Sequence, residues 1–121
     1  GIAGVSRSLG DLGGRTVTVR VPGPDPSHIY RMHVTVNTGS NGLPIEVFAT
    51  YELPGIDGTH GLLNAMCRLA SRLLQANVPA AVVARMMRGQ ADGWPPVWSG
   101  GQRVVSAADA IAGLLDPGAE E

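Results

Sequence analysis

The first half of the chain alternates between apolar and polar residues with a period of two. In RTVTVRV, Val17, Val19 and Val21 alternate with polar neighbours, a pattern typical of a half-buried strand. The alternation returns in IYRMHVTVN, residues 29–37, and, after the turn TGSNG, in LPIEVFATYEL, residues 43–53. We therefore predict three strands, of which the last two form an antiparallel hairpin.

The second half changes to the helical period of 3.6. In GTHGLLNAMCRLASRLLQANVP the apolar side chains fall on one broad stripe, which we expect to face the core. The stripe comprises Leu62, Leu63, Met66, Leu69, Ala70, Leu73 and Leu74. Asn77 suits the left-handed position after a helix end, and Pro79 then blocks continuation of the helix.

Two further helices follow. Pro79 occupies a tolerated first-turn position of the second, which should stop at Gly89. Its apolar residues again predict a single face, formed by Val82, Val83, Met86 and Met87. After a loop rich in proline and glycine, the segment SAAD has the spacing of a capping box from Ser106 to Asp109. It predicts a third helix that runs to about Leu115.

Strands followed by helices predict an α+β fold with two layers. We expect an antiparallel sheet of three or more strands, with a central hairpin, packed against two to three helices. At 121 residues the chain is long enough for one modest core. We expect a single domain over residues 14–116, a flexible arm at 1–13 and a frayed tail at 117–121.

Composition and the distribution of apolar residues limit the cellular location that we expect for the protein. No apolar run approaches the roughly 20 residues needed to span a bilayer, and the first residues lack the pattern of a signal peptide. Cys67 is the single cysteine, so an internal disulfide is excluded. We expect a cytoplasmic protein. A net charge of −1 predicts no non-specific binding to nucleic acid.

Residues for catalysis are scattered. His28, His33 and His60 show no zinc-ligand spacing, with His33 expected on a solvated strand face. Glu46 and Glu52 would lie nearly 20 Å apart along a strand, too far for an acid–base pair. Without lysine the chain has no Walker-type phosphate loop. We expect no enzyme, no metal and no cofactor, with a weak activity of His60 and Glu52 as a minor alternative.

Groups that could bind a ligand are more abundant, because all nine basic residues are arginine and the guanidinium group suits phosphates. A polar stripe on the first helix is either its solvent side or a ligand-gripping face, and the two tryptophans either stack on a base or cover a thin core. The candidate ligand-binding residues are Asn64, Arg68, Arg72, Arg88, Trp94, Trp98 and Arg103. A ligand-binding protein should bring the helix arginines and the tryptophans to one pocket.

Three segments carry a family resemblance: YRMHVTVNTGSNGLPIEVFATYELPGIDG, LLNAMCRLASRLLQANVPAAVVARMMRG and VVSAADAIAGLL. Over residues 30–115 they resemble the TSCPD-type domain at the C-terminus of adenosylcobalamin-dependent (class II) ribonucleotide reductases. The family motif has cysteine and proline before its aspartate, whereas this chain has Ala107 and Ala108 before Asp109. The resemblance therefore implies an accessory fold without reductase activity.

Two functions remain open at this point. The first is a non-catalytic binding module for a nucleotide or a nucleotide-derived signal, compatible with a phage-type sponge that sequesters cyclic nucleotides or ADP-ribose signals. The alternative is a protein adaptor or regulatory accessory domain of a ribonucleotide reductase, which should expose an apolar patch of Leu74, Met86 and Met87. In either case we expect a homodimer or higher homo-oligomer.

Overall fold

The computed structural model describes residues 13–52 and 59–117. In chain order the elements are β1 (Gly13–Val21), β2 (Tyr30–Thr38), β3 (Pro44–Tyr51), α1 (His60–Gln75), α2 (Ala80–Met87), β4 (Val97–Ser99), β5 (Gln102–Val104) and α3 (Ala107–Leu115). The predicted α+β fold is confirmed. The predicted arm and tail lie outside the described residues, apart from Gly13, which opens β1, and Pro117. No helix in the described part is long and apolar enough to cross a membrane.

The three predicted strands form one antiparallel sheet in the order β1-β2-β3. Its register places Val19, Met32 and Tyr51 side by side on one face, which is the face that the core occupies. Met32 is completely buried at its centre. The alternation read from the sequence therefore separates the core face from the polar face correctly in β1 and β2.

The opposite face of the sheet is mostly polar, with the exposed Phe48 as an exception, and cross-strand pairs join its strands. The hydroxyl groups of Thr16 and Thr35 lie 2.7 Å apart, and Thr18 Oγ1 lies 2.9 Å from His33 Nδ1. His33 is half exposed, as expected for a solvated strand face. Such pairs fix the register of neighbouring strands.

α1 lies along the free edge of β3. Ser71 Oγ accepts a hydrogen bond from Val47 N at 2.9 Å and donates to Val47 O at 3.1 Å, while Gln75 Nε2 donates to Ile45 O at 3.1 Å. These bonds occupy backbone groups that an edge strand would otherwise present to another chain. At its end, Asn77 has the predicted left-handed conformation, with φ at 69°.

The expectation of one buried stripe on each of the first two helices was wrong. α1 buries Leu63, Ala70 and Leu74, but Leu62 and Leu69 are 72% and 68% exposed. The apolar stripe of α1 is broader than the contact that the helix makes along β3. Residues at one side of the stripe therefore remain exposed to solvent. In α2, Val83 and Met87 are likewise buried while Val82 and Met86 remain exposed, the latter by 53%.

The capping box at the start of α3 is confirmed and extends further than predicted. Ser106 Oγ accepts a hydrogen bond from Asp109 N at 3.0 Å. The Asp109 carboxylate accepts one from Val105 N at 3.1 Å and another from Gly89 N at 2.8 Å. Because Gly89 follows α2, this carboxylate ties the end of α2 to the beginning of α3.

A small hairpin occupies the region predicted to be only a loop. β4 and β5 pair across Gly100 and Gly101, both with positive φ, a conformation that glycine adopts without strain. Ser99 Oγ accepts a hydrogen bond from Arg20 N at 2.9 Å, so the hairpin covers the end of the β1 edge. Strands of three residues beside two prolines carry too little alternation to be recognised in the sequence.

Candidate ligand-binding cleft

A cleft of about 230 Å³ lies between the end of β1 and the hairpin. One wall comes from the last residues of β1, the proline-rich turn after it and the start of β2. The other comes from residues 95–98. Its chemically versatile lining residues are Arg20, Asp25, His28, Tyr30 and Trp98. The cleft therefore combines three aromatic rings with one cation and one carboxylate.

The turn at residues 22–27 shapes the first wall. The Asp25 carboxylate accepts hydrogen bonds from Ser27 N at 3.0 Å and Ser27 Oγ at 2.7 Å, which closes a local turn. Asp25 N donates to the Tyr30 hydroxyl at 3.1 Å. A Cβ at Gly23 would overlap the Tyr30 ring, so glycine is what allows the turn to approach the ring this closely.

The rings of this wall form a small group. Those of His28 and Tyr30 lie 5.0 Å apart at a tilt of 50°, an arrangement that aromatic pairs favour. Trp98, on the opposite wall, is 62% exposed. The indole therefore offers a ring face that the protein's own core does not use.

Arg20 has the least satisfied polar group at the cleft. Its side chain lies on the polar face of β1 and is half buried, and its Nε is buried without a hydrogen-bond partner among the described residues. Leaving a buried donor unpaired costs about 1–3 kcal/mol, more for a charged group. An acceptor on a bound ligand would remove that cost if the Arg20 side chain turned its Nε toward the cleft.

Asp25 supplies the opposite charge. Hydrogen bonds from Ser27 lower the pKa of its carboxyl below the ordinary value of 3.8, so it is ionised at neutral pH. A ligand that fills the cleft therefore needs an acceptor or anionic group for Arg20 and is favoured by donors, such as hydroxyl or amine groups, for Asp25.

The two tryptophans, which were both candidate ligand-binding residues, lie in different surroundings in the structure. Trp98 lines the cleft, whereas Trp94 is half buried and packs against the core. Arg103 stands opposite Trp98 in the hairpin but does not line the cleft. Arg88 donates from Nη2 to Asp116 O at 3.0 Å, which holds the end of α2 against the end of α3.

The other predicted site residues lie at the far edge of the sheet. Asn64, Arg68 and Arg72 are exposed on α1, which packs on β3, while the cleft is at β1. The expected convergence of helix arginines and tryptophans on one pocket is therefore not found within the described part of a single chain. Whether these residues contact a ligand stays a prediction.

Sequence reasoning missed Arg20, Asp25 and Tyr30. Arg20 was visible as the large cation that ends the polar side of the first strand, and Tyr30 as an aromatic that opens the second. The three prolines of the segment PGPDPS between them indicate only that the first strand ends there. Arg20 and Tyr30 could therefore have been chosen as candidates from the sequence. Only the tertiary contact between β1 and β4 shows that they lie near Trp98.

A second group of reactive side chains surrounds the start of α1. The rings of Tyr51 and His60 meet edge to face at 5.3 Å, and burial raises the pKa of Tyr51 above 10.0. Burial also raises the pKa of the Cys67 thiol to about 11, which disfavours the nucleophilic thiolate. The Glu52 carboxylate lies instead beside Arg31, at 3.4 Å, and His33, at 3.6 Å. Among the described residues no cluster of histidine, cysteine and carboxylate groups could hold a metal.

The fold and the cleft define a small α+β domain with a two-walled site at one sheet edge. The family model of the TSCPD domain matches residues 14–117, so the chain belongs to the TSCPD domain family. Ser106 and Asp109, which frame the two alanines at the motif, carry the helix cap described above. Comparison with curated proteins and with solved structures gave no match.

Proposed function

We propose that this protein is a non-catalytic binding module for a nucleotide or a nucleotide-derived signal, which it holds in the cleft at the β1 edge. The observation that carries the proposal is that Arg20, whose Nε has no hydrogen-bond partner among the described residues, lines one cleft together with Trp98 and Tyr30. A purine or pyrimidine ring stacks on an exposed indole, and a phosphate accepts charge-assisted hydrogen bonds from a guanidinium group.

The charges of the cleft favour a compact ligand. Arg20 is the single arginine among its lining residues, and Asp25 would repel additional phosphates. Stacking of a base on an aromatic side chain contributes about 1–3 kcal/mol. A ligand with one phosphate or a cyclic phosphodiester, and with hydroxyl groups for Asp25, suits this balance better than a triphosphate.

Sequestration is the biological role that such binding would serve. A small cytoplasmic protein of this kind could act as a phage-type sponge for cyclic nucleotides or ADP-ribose signals. Homodimerisation would add to the site if a second copy brought its α1 to the cleft, since Arg68 and Arg72 are exposed and available for phosphate contacts.

The test is thermal melting of the full chain against a panel of mono-, di- and cyclic nucleotides and ADP-ribose derivatives. A ligand at 100 times its Kd that binds only the folded state stabilises it by about 2.7 kcal/mol. We expect Trp98→Ala and Arg20→Gln to abolish the shift. Arg68→Ala tests the alternative site on α1, and Arg85→Ala is the matched control, since Arg85 is an exposed arginine outside both candidate sites.

The outcomes separate the possible sites. A shift lost in Trp98→Ala and kept in Arg68→Ala supports the cleft. A shift lost only in Arg68→Ala moves the site to α1, as the sequence alone suggested. A flat panel, with the variants folded like the parent chain, refutes nucleotide binding.

The second candidate function is a protein adaptor or a regulatory accessory domain of a ribonucleotide reductase. The apolar patch expected for it from Leu74, Met86 and Met87 was wrong, because Leu74 and Met87 are buried. The exposed Leu62 and Leu69 on α1 nevertheless favour a protein contact at a different place. Sedimentation of the chain mixed with purified class II reductase tests this candidate, and unchanged sedimentation rules out that partner.

A further inference from the structure

α1 carries a second apolar stripe beside the one that packs on β3. The residues of this exposed stripe are Leu62, Met66, Leu69 and Leu73. With steps of four, three and four residues they lie within about 60° of arc on the helix. Met66 and Leu73 are half buried and pack against the core, while Leu62 and Leu69 project as the most exposed pair. This spacing is that of the anchor residues in helix-to-helix recognition.

The size of the exposed stripe favours a single helix as its occupant. From Leu62 to Leu73 it is about 16 Å long. Two exposed leucines and two half-buried neighbours fall well short of the roughly 800 Å² that each partner buries in a stable interface between globular surfaces. A short amphipathic helix can bind such a stripe through three or four apolar anchors.

The charges around the exposed stripe indicate the chemistry of that helix. α1 contains no acidic residue, and Arg68 and Arg72 are exposed on the same side of the helix, with Arg72 about a quarter turn from the stripe. Arg85 adds another exposed cation on α2. α1 carries no carboxylate that could pair with Arg72 of a second copy, so a second chain is a poorer match than a helix with acidic residues.

We propose that the exposed stripe of α1 binds an amphipathic helix of a partner protein, with acidic residues flanking its apolar anchors. Glutamate or aspartate on the partner would pair with Arg72, Arg68 would add to the positive charge on the same side of α1, and the leucines of both helices would interdigitate. The proposal is independent of the cleft and gives the adaptor function a surface and a class of partner.

The test uses two fluorescein-labelled peptides of 18 residues with the full chain. Both have leucines at alternating steps of three and four and alanine elsewhere, with flanking glutamates in one and flanking lysines in the other. Fluorescence anisotropy should give at least tenfold tighter binding of the glutamate peptide. Leu69→Ser should weaken it at least tenfold, and the double change Arg68→Glu, Arg72→Glu should reverse the preference.

Leu43→Ser is the matched control, because Leu43 is 61% exposed but lies in the turn between β2 and β3. It should leave peptide binding unchanged. Equal binding of the two peptides, no binding of either, or an equal loss in Leu43→Ser and Leu69→Ser overturns the proposal. So does sedimentation of the peptide-free chain as a dimer that Leu69→Ser dissolves, since the exposed stripe would then belong to a second copy. Melting curves of all variants establish that each one is folded.

Discussion

The two edges of the three-stranded sheet are protected in the same way but present different surfaces. At each edge a serine bonds the strand backbone: Ser99 bonds Arg20 N on β1, and Ser71 bonds both backbone groups of Val47 on β3. The β1 edge is covered by a hairpin and a proline-rich turn, which leave a concave cleft between them. The β3 edge is covered by a helix, which turns a convex apolar stripe outward. The element that covers an edge therefore determines the kind of partner that the edge can bind.

The arginines at the two edges of the sheet also differ in burial and hydrogen bonding. Arg20 has a buried Nε with no partner in the described part of the chain, so a ligand toward which it turns relieves a cost already present in the folded state. Arg68 and Arg72 are exposed to water and gain only the modest energy of a surface ion pair. The cleft should therefore select a ligand by hydrogen bonding, and α1 should select a partner by its apolar spacing together with the charge of the flanking residues.

The largest loss of stability that we predict comes from a substitution in the core that supports both edges of the sheet. Met32 is fully buried on the central strand, between Val19 and Tyr51. Met32→Ala should lower the free energy of unfolding by about 4 kcal/mol, because it leaves a cavity in the core that both edges share. Urea unfolding measures the loss. Met86→Ala, at an exposed position of α2, is the control and should cost less than about 0.5 kcal/mol.

The next prediction concerns α1 alone and compares adjacent leucines. Leu63 is buried, whereas Leu62 is among the most exposed leucines of the helix. Leu63→Ala should cost about 3 kcal/mol in urea unfolding, and Leu62→Ala should change it by less than about 0.5 kcal/mol. Similar losses in both variants would mean that the exposed stripe is covered within the chain and is not a surface for a partner.

Periodicity predicted the fold well because each strand or helix packs one face on a common core. Alternation gave the three strands of the main sheet and the faces of the first two, and Asn77, Gly89 and the Ser106 cap gave the helix ends. Periodicity could not give the width of the apolar face of α1 that the sheet covers, so Leu62 and Leu69 were placed in the core. The cleft was also out of reach, because its walls join β1 to a hairpin about 80 residues later, which no local pattern encodes.

A pH dependence of stability should arise at the α1 side, from Cys67 and Tyr51. Burial raises the pKa of Cys67 from 9.0 to about 11, so between these values the unfolded chain loses a thiol proton that the folded chain keeps. Stability is therefore fully present below pH 9 and falls as the pH rises towards 11, by on the order of 2 kcal/mol. Tyr51, whose pKa is also raised, adds to the fall above pH 10.

Urea unfolding at pH 8 and pH 10.5 measures this dependence, and the variant Cys67→Ala isolates the thiol. The variant should lose less stability between the two pH values than the parent chain. An equal loss in both proteins would assign the whole effect to Tyr51 and other groups. Asp25, whose pKa is lowered at the cleft, does not titrate in this range.

The smallest predicted effect separates the two tryptophans. Trp94 packs against the core and Trp98 is largely exposed, although they lie four residues apart in the same segment. Trp94→Ala should cost about 1–2 kcal/mol because part of its ring is buried. Trp98→Ala should change stability by less than about 0.5 kcal/mol, yet it should remove any shift that a nucleotide produces. Melting of both variants, with and without ligand, gives the four values needed. A large loss of stability in Trp98→Ala would identify its ring as a cover for the core, and the concave edge would then lack the exposed stacking surface that distinguishes it from α1.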